Sequence, residues 1–307
     1  MPSSTFSRRA LSEKDAMPKF AANLHYMFNE VPFLDRFAAA AQAGFKGVEF
    51  QVPYGFPAEV LAERLAQNDL AMVLMDTTPG DWGAGERGIA ALPGREEEFR
   101  SALETTIAYC RALGCETVHA IAGVVPPGIS REAAQETFIE NLRYAADRFA
   151  PYGITAVIEP INGGRDLIIG GETYTTYGMR GFFLNHTRDA VRIIEMAGRD
   201  NLRLHLDVYH MQLTDGNLAE TLQQTMPLLQ HIQIAGVPGR NEPARGEINY
   251  PFLFDLIDRL GYDGWVGCEY KPLTTTLEGL GWARPYGLVP GAQAPGTQAH
   301  AERASHT

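Results

Sequence analysis

Three cysteines in 307 residues, Cys110, Cys115 and Cys268, are too few and too unevenly placed for a disulfide framework. No CxxC pair among them suggests structural zinc, so a reducing, cytoplasmic setting is the expectation. No apolar run reaches the roughly 18 residues that a membrane span needs. The opening MPSSTFSRRALSEKDA has two arginines but no apolar stretch after them, unlike a secretory signal. Basic charge is also scarce. Lys and Arg number 26 against 37 Asp and Glu, and the net charge of −11 excludes the positive footprint that nucleic acid or an anionic membrane requires. A small molecule is the expected partner.

What is present is one alternation, repeated. Short apolar runs with strand character occur at FAANL, GVEFQ, AMVLMDT, TVHAIAG, TAVIEPIN, LRLHLDVYH, HIQIAG and WVGCEYKP. Between them lie segments of helical period, among them VPFLDRFAAAAQAG, REEEFRSALETTIAYCRALG, REAAQETFIENLRYAADRFAPYG and PFLFDLIDRLG, which end in glycine as helix C-caps do. Strands alternating with helices imply parallel βα units. Eight of them match an α/β fold of the (β/α)8 TIM barrel type, whose usual length is about 250 residues. An open doubly wound sheet is the rival, but the first strand lacks the phosphate-binding GxGxxG after it. With no Pro-, Gly- or Ser-rich linker to divide the pattern, residues 17–288 read as a single barrel domain. Residues 1–16 read as a flexible extension, and residues 289–307, which lose all periodicity, as a flexible tail.

A barrel of this kind keeps its site at the C-terminal ends of the strands. Four consecutive strands offer an oxygen there: Glu159 in VIEPIN, Asp207 in HLDVYH, Gln233 in HIQIAG and Glu269 in GCEYKP. Each alone reads equally well as a helix cap or a solvated loop residue. Together, three carboxylates and an amide oxygen converging on one mouth repel one another unless a cation lies between them, and hard oxygen donors select Mg²⁺ or Mn²⁺. Two carboxylates across such a metal suit proton transfer between adjacent carbons, as in aldose–ketose isomerisation.

The stretches AANLHYMFNEVPFLDRFAAAAQAGFKGVEF, GDWGAGERGIAALPGREEEF, EPIN, HIQIAGVPGR and GEINYPFLFDLIDRLGYDGWVGCEYKP together resemble the hydroxypyruvate isomerase family, including its 2-oxo-tetronate isomerases, within the xylose-isomerase-like barrels. The resemblance spans about residues 17–285. It implies metal-assisted isomerisation of a small hydroxy-oxo acid, hydroxypyruvate and tartronate semialdehyde being the named pair. Carried onto matching positions, Glu159 and Glu269 become the acid/base pair and metal ligands, with Asp207 and Gln233 completing the metal shell. His210 resembles a substrate-binding histidine of related sugar epimerases. Arg240 is expected to take the substrate carboxylate through its planar fork, with Arg87, Arg165 and Lys271 as alternatives. Glu247 reads as a helix cap. His25 and His119 read as structural, and Trp82 and Phe28 as either pocket-closing or packed on neighbouring helices.

The chain departs from the family in three places. Between EPIN and GFFLN it carries roughly a dozen extra residues, near 163–181, at the mouth of the barrel. The apolar DLIIGG inside them suits either a lid or a contact between copies in a homo-oligomer. AGVPGR has Gly236 where an acid is usual, and PARGE adds Arg245, so the rim reads as more positive and suited to a more acidic or longer substrate. The alternatives are a ketose 3-epimerase or another sugar isomerase of the superfamily, and a non-catalytic barrel that only binds.

Overall fold

The computed structural model describes residues 18–288, so the readings of residues 1–16 and 289–307 as flexible ends lie outside it. Among the described residues there are ten strands: β1 (Lys19–Asn23), β2 (Gly47–Glu49), β3 (Ala71–Asp76), β4 (Thr117–His119), β5 (Thr155–Ile158), β6 (Asp166–Ile169), β7 (Glu172–Thr175), β8 (Leu202–Asp207), β9 (Leu229–Ile234) and β10 (Trp265–Cys268). Eight of them close a barrel in the order β1-β10-β9-β8-β5-β4-β3-β2 with every pair parallel. Both faces of such strands are covered, which is why they read as apolar runs. In β5, for example, Ala156, Val157 and Ile158 are all buried.

The helices between strands follow their sequence signals. Glu96–Leu113 carries Glu96, Glu97 and Glu98 in its first turn, Arg111 in its last, and Gly114 at φ +65° as its C-cap. Phe99, Leu103, Ile107 and Cys110 form its buried stripe. Arg131–Phe149 starts on Ser130, whose hydroxyl accepts from the Ala133 amide at 3.1 Å. Tyr250–Arg259 is capped by Asn249, which accepts from the Phe252 amide. Glu247, expected to be that cap, instead accepts from Gln212 Nε2 at 2.9 Å.

Strand pairing sets the height of each side chain at the mouth. Asp207 on β8 pairs with Gln233 on β9, and Gln233 with Gly267 on β10. Gly267 is required there, because a Cβ would come within 2.3 Å of Glu49 Oε2. The segment after β5 folds into an antiparallel hairpin, β6–β7, turned by Gly170 and Gly171 at φ +61° and +87°. Ile168 and Ile169 stand exposed near its tip.

Candidate active site

A cavity of about 670 Å³ opens at the C-terminal ends of the barrel strands. Glu159 directly follows β5, Asp207 ends β8, Gln233 lies within β9 and Glu269 follows β10, and all four are buried. Glu159 accepts no hydrogen bond from the described residues. Its closest nitrogens are His119 Nδ1 and His205 Nδ1, each at 3.7 Å from Oε2, and His210 Nε2 at 3.9 Å from Oε1. Asp207 is better supported: Oδ1 accepts from the Tyr209 amide at 2.8 Å and Oδ2 from Arg240 Nη2 at 2.9 Å. The same Nη2 donates to Glu269 Oε1 at 2.8 Å.

Burial governs the electrostatics. It pushes the Glu159 carboxyl well above the ordinary carboxylate range, and the charges of Glu269 and Asp207 push it further. Burial raises Glu269 likewise, against the pull of Arg240. It holds His205 and His210 well below the usual imidazole value, so both stay neutral. Asn162 Nδ2 donates to Tyr177 O at 3.0 Å and lies 2.7 Å from His210 Nδ1, which the Asn162 amide also faces at 3.4 Å. Those donors assign the acceptor role to Nδ1 and the proton to Nε2, the nitrogen that faces Glu159 and Asp207.

Sequence reasoning passed over several buried polar residues in and beneath this wall. Glu49 ends β2 and accepts from Asn23 Nδ2 at 3.0 Å, His231 Nε2 at 2.7 Å and Gln233 Nε2 at 2.6 Å. Asp76 ends β3 with its Oδ1 3.3 Å from His119 Nδ1, and both residues line the cavity with His205. The missed signal is the strand period. His205 and His231 stand two residues before Asp207 and Gln233 and share their face.

The donor set fits a hard divalent cation. Because the Glu49 carboxylate only accepts, it turns the Gln233 amide so that Nε2 meets Glu49, and Gln233 Oε1 is left buried with no hydrogen-bond partner among the described residues. Such an orphaned oxygen, in a mouth where Glu159 has no hydrogen-bond donor among the described residues, suits a positive charge. Ligand atoms of Glu159, Asp207 and His210 lie within 4.8 Å of one another, as do those of His119, Glu159 and His205.

The expected substrate contacts fall in different places. His210, Arg240 and Arg87 line the cavity. Arg165 and Lys271 are exposed and outside its lining. Arg240 is buried, with φ +54° and its guanidinium 5.0 Å from the ring centroids of both Tyr26 and Tyr209, so its charge is directed at Asp207 and Glu269. Trp82 is half exposed at the mouth and lines the cavity, whereas Phe28 is buried in the core. Tyr177, Gly178 and Met179, at the foot of the hairpin, form one side of the opening. Arg245 points to solvent and lies 3.8 Å from Glu242, outside the cavity lining. Gly236 has no room for an acid, since a Cβ would stand 2.3 Å from Arg245 O.

Comparison with known proteins agrees with this architecture. Residues 37–286 match the family described as xylose isomerase-like TIM barrel. A 2-oxo-tetronate isomerase from Cupriavidus necator is 47% identical over 270 residues, covering 88% of this chain and 99% of its own. A hydroxypyruvate isomerase from Escherichia coli is 46% identical, covering 88% and 100%. Among solved structures, one from Brucella melitensis described as an AP endonuclease, family 2, superposes with a TM-score of 0.81 at 48% identity over 88% of this chain and 99% of that one.

Proposed function

Because the chain belongs to the xylose isomerase-like TIM barrel family and is an enzyme of the hydroxypyruvate isomerase type, we propose that it moves a proton between adjacent carbons of a small hydroxy-oxo acid. The reaction is hydroxypyruvate to tartronate semialdehyde, or 2-oxo-tetronate to 3-oxo-tetronate. The observation that carries this reading is Glu159: a buried carboxyl at the cavity wall to which no described residue donates a hydrogen bond. A group left so unsatisfied is arranged for something that arrives from outside.

Glu159 and Glu269 are the acid/base pair. One takes the proton from the carbon beside the carbonyl and the other returns a proton to the neighbouring carbon, through an enediolate of the substrate. Burial raises both carboxyls toward the operating pH, the range in which a group both accepts and releases a proton. Glu159, Asp207, Gln233 and Glu269 would hold Mg²⁺ or Mn²⁺. When bound, such an ion supplies a Lewis acid that polarises the carbonyl oxygen. Arg240 offsets the charges of Asp207 and Glu269 and keeps both in place. His210, neutral and tied through Nδ1 to Asn162, offers its Nε2–H to a substrate oxygen. Tyr26, whose hydroxyl is raised to about 12 by burial, stays protonated beside Arg240.

Proton NMR in D₂O tests the proposal. Purified protein with Mg²⁺ or Mn²⁺ is expected to convert, or exchange the α-protons of, hydroxypyruvate or 2-oxo-tetronate, and to stop when the ion is chelated. A folded, metal-supplied protein that exchanges neither acid overturns it.

A further inference from the structure

A substrate acid brings negative charge into a cavity already lined by Asp76, Glu159 and Glu269. Beside any bound metal, a side-chain cation at the wall is the natural partner for its carboxylate. Among the described residues no lysine lines the cavity, and the arginines that do are Arg87 and Arg240. Arg240 is committed. Its Nη2 is shared between Asp207 and Glu269, its Nε faces the Glu269 carbonyl oxygen at 3.3 Å, and two tyrosine rings hold it.

Arg87 is also held by an aromatic ring and by backbone carbonyls, but it differs in having no carboxylate partner among the described residues. It sits in the loop after β3, with its guanidinium 3.8 Å from the centroid of the Trp82 ring. Its Nη1 donates to the carbonyl oxygens of Trp82 at 3.2 Å and Glu86 at 2.6 Å. The neighbouring acid is turned away: Glu86 binds Arg95 Nη1 at 2.6 Å and the Asp81 amide at 2.6 Å. No carboxylate among the described residues pairs with Arg87, and its Nε and Nη2 make no hydrogen bond to them. Those two N–H groups form the edge of a guanidinium that meets a carboxylate through two parallel bonds. The loop is also anchored. Gly88, at φ +102°, bridges Ala122 just beyond β4, and a Cβ there would come within 2.5 Å of the Ile121 carbonyl oxygen.

We propose that Arg87, held flat on the Trp82 indole, is the specificity-determining residue that reads the carboxylate of the substrate. Stacking on Trp82 fixes the plane of the fork, and the two carbonyls occupy its far side, so the open edge is preset for an acid. Substrates that lack the carboxylate lose this contact. The proposal rests on the isomerase reading only for which acid is turned over.

The test is calorimetry with D-glycerate, a three-carbon hydroxy acid with no carbonyl to isomerise, on the full chain supplied with Mg²⁺. Arg87→Met is expected to weaken binding by about 10- to 100-fold, the loss of a charge-assisted pair. Arg87→Lys should recover only part of it, because lysine has no planar edge. With the reacting acid, KM rises in Arg87→Met and kcat changes much less. Glycerate bound by Arg87→Met within about threefold of wild type overturns the proposal. Glycerol bound by the wild type as tightly as glycerate overturns it too. Wild-type protein that binds glycerate through Arg87 but exchanges the protons of neither acid instead refutes the isomerase reading and leaves the carboxylate site standing.

Discussion

Glu49 and Glu159 are both buried glutamates at ends of barrel strands, and the protein treats them in opposite ways. Glu49 accepts three side-chain hydrogen bonds, from Asn23, His231 and Gln233. Glu159 accepts none from the described residues and has three imidazoles at 3.7 to 3.9 Å. A carboxylate saturated by its own fold can do nothing further except hold its donors still. A carboxylate left bare is a cost to the fold, repaid only when a cation or substrate arrives. On the proposed reading the side chains around Glu49 are scaffold, and the chemistry is assigned to the wall around Glu159.

The sharpest way to break this division is Glu159→Gln. Turnover is expected to fall about a thousandfold or more, the range lost with a general acid/base. Thermal stability should hold or rise, since no hydrogen bond to the protein is lost and a desolvated acid is replaced by a neutral amide of the same shape. Thermal melts beside NMR turnover check both. A variant that keeps turnover, or one that unfolds, would move Glu159 to the scaffold side.

Glu49→Leu should do the reverse first: it leaves three buried donors without an acceptor. Stability is expected to fall by about 3–5 kcal/mol, as when one partner of a buried polar network is removed. A urea melt showing less than about 1 kcal/mol of loss would mean that the Glu49 wall carries no structural weight.

Much of this was legible beforehand, and what was missed has physical causes. The eight strands and their order along the chain follow from apolar runs separated by helical periods. The oxygens of β5, β8, β9 and β10 were found because strongly polar residues ending buried strands have few other reasons to be there. Glu49 and Asp76 end strands in the same manner, in GVEF and VLMD, yet an isolated acid in the first half of the barrel looks like a cap until the fold closes beside it. His231 meets Glu49 across 182 residues, which only barrel closure brings about. The long segment between EPIN and GFFLN was visible as length. Its shape was also written, as Gly-Gly between DLII and ETYT, the two-residue turn of a hairpin. Glu247 was misread as a cap because the true one, Asn249, stands only two residues on. That Arg240 turns to Asp207 and Glu269 was not readable, since a loop arginine has no pattern to fix its direction.

The smallest expected effect separates the two glutamates by pH. Burial and the charges of Glu269 and Asp207 raise the Glu159 carboxyl in the folded chain above the 4.5 of an ordinary glutamate, so near neutral pH the folded state binds the proton more tightly than the unfolded one. Stability from this group is then fully present below pH 4.5 and is lost as pH rises through the raised folded value. The protein treated with chelator should therefore melt at progressively lower temperature as pH rises above about 7, past the range in which His205 and His210, lowered by burial, impose the opposite slope, and added Mg²⁺ should flatten that slope, because a cation binding the carboxylates favours the same charged forms in the folded state that burial opposes. Glu159→Gln should flatten it in part without metal, leaving the share that belongs to Glu269, whose carboxyl burial raises in the same direction. A melting temperature that climbs over this range in the chelated wild type would show that Glu159 is satisfied after all, in the manner of Glu49.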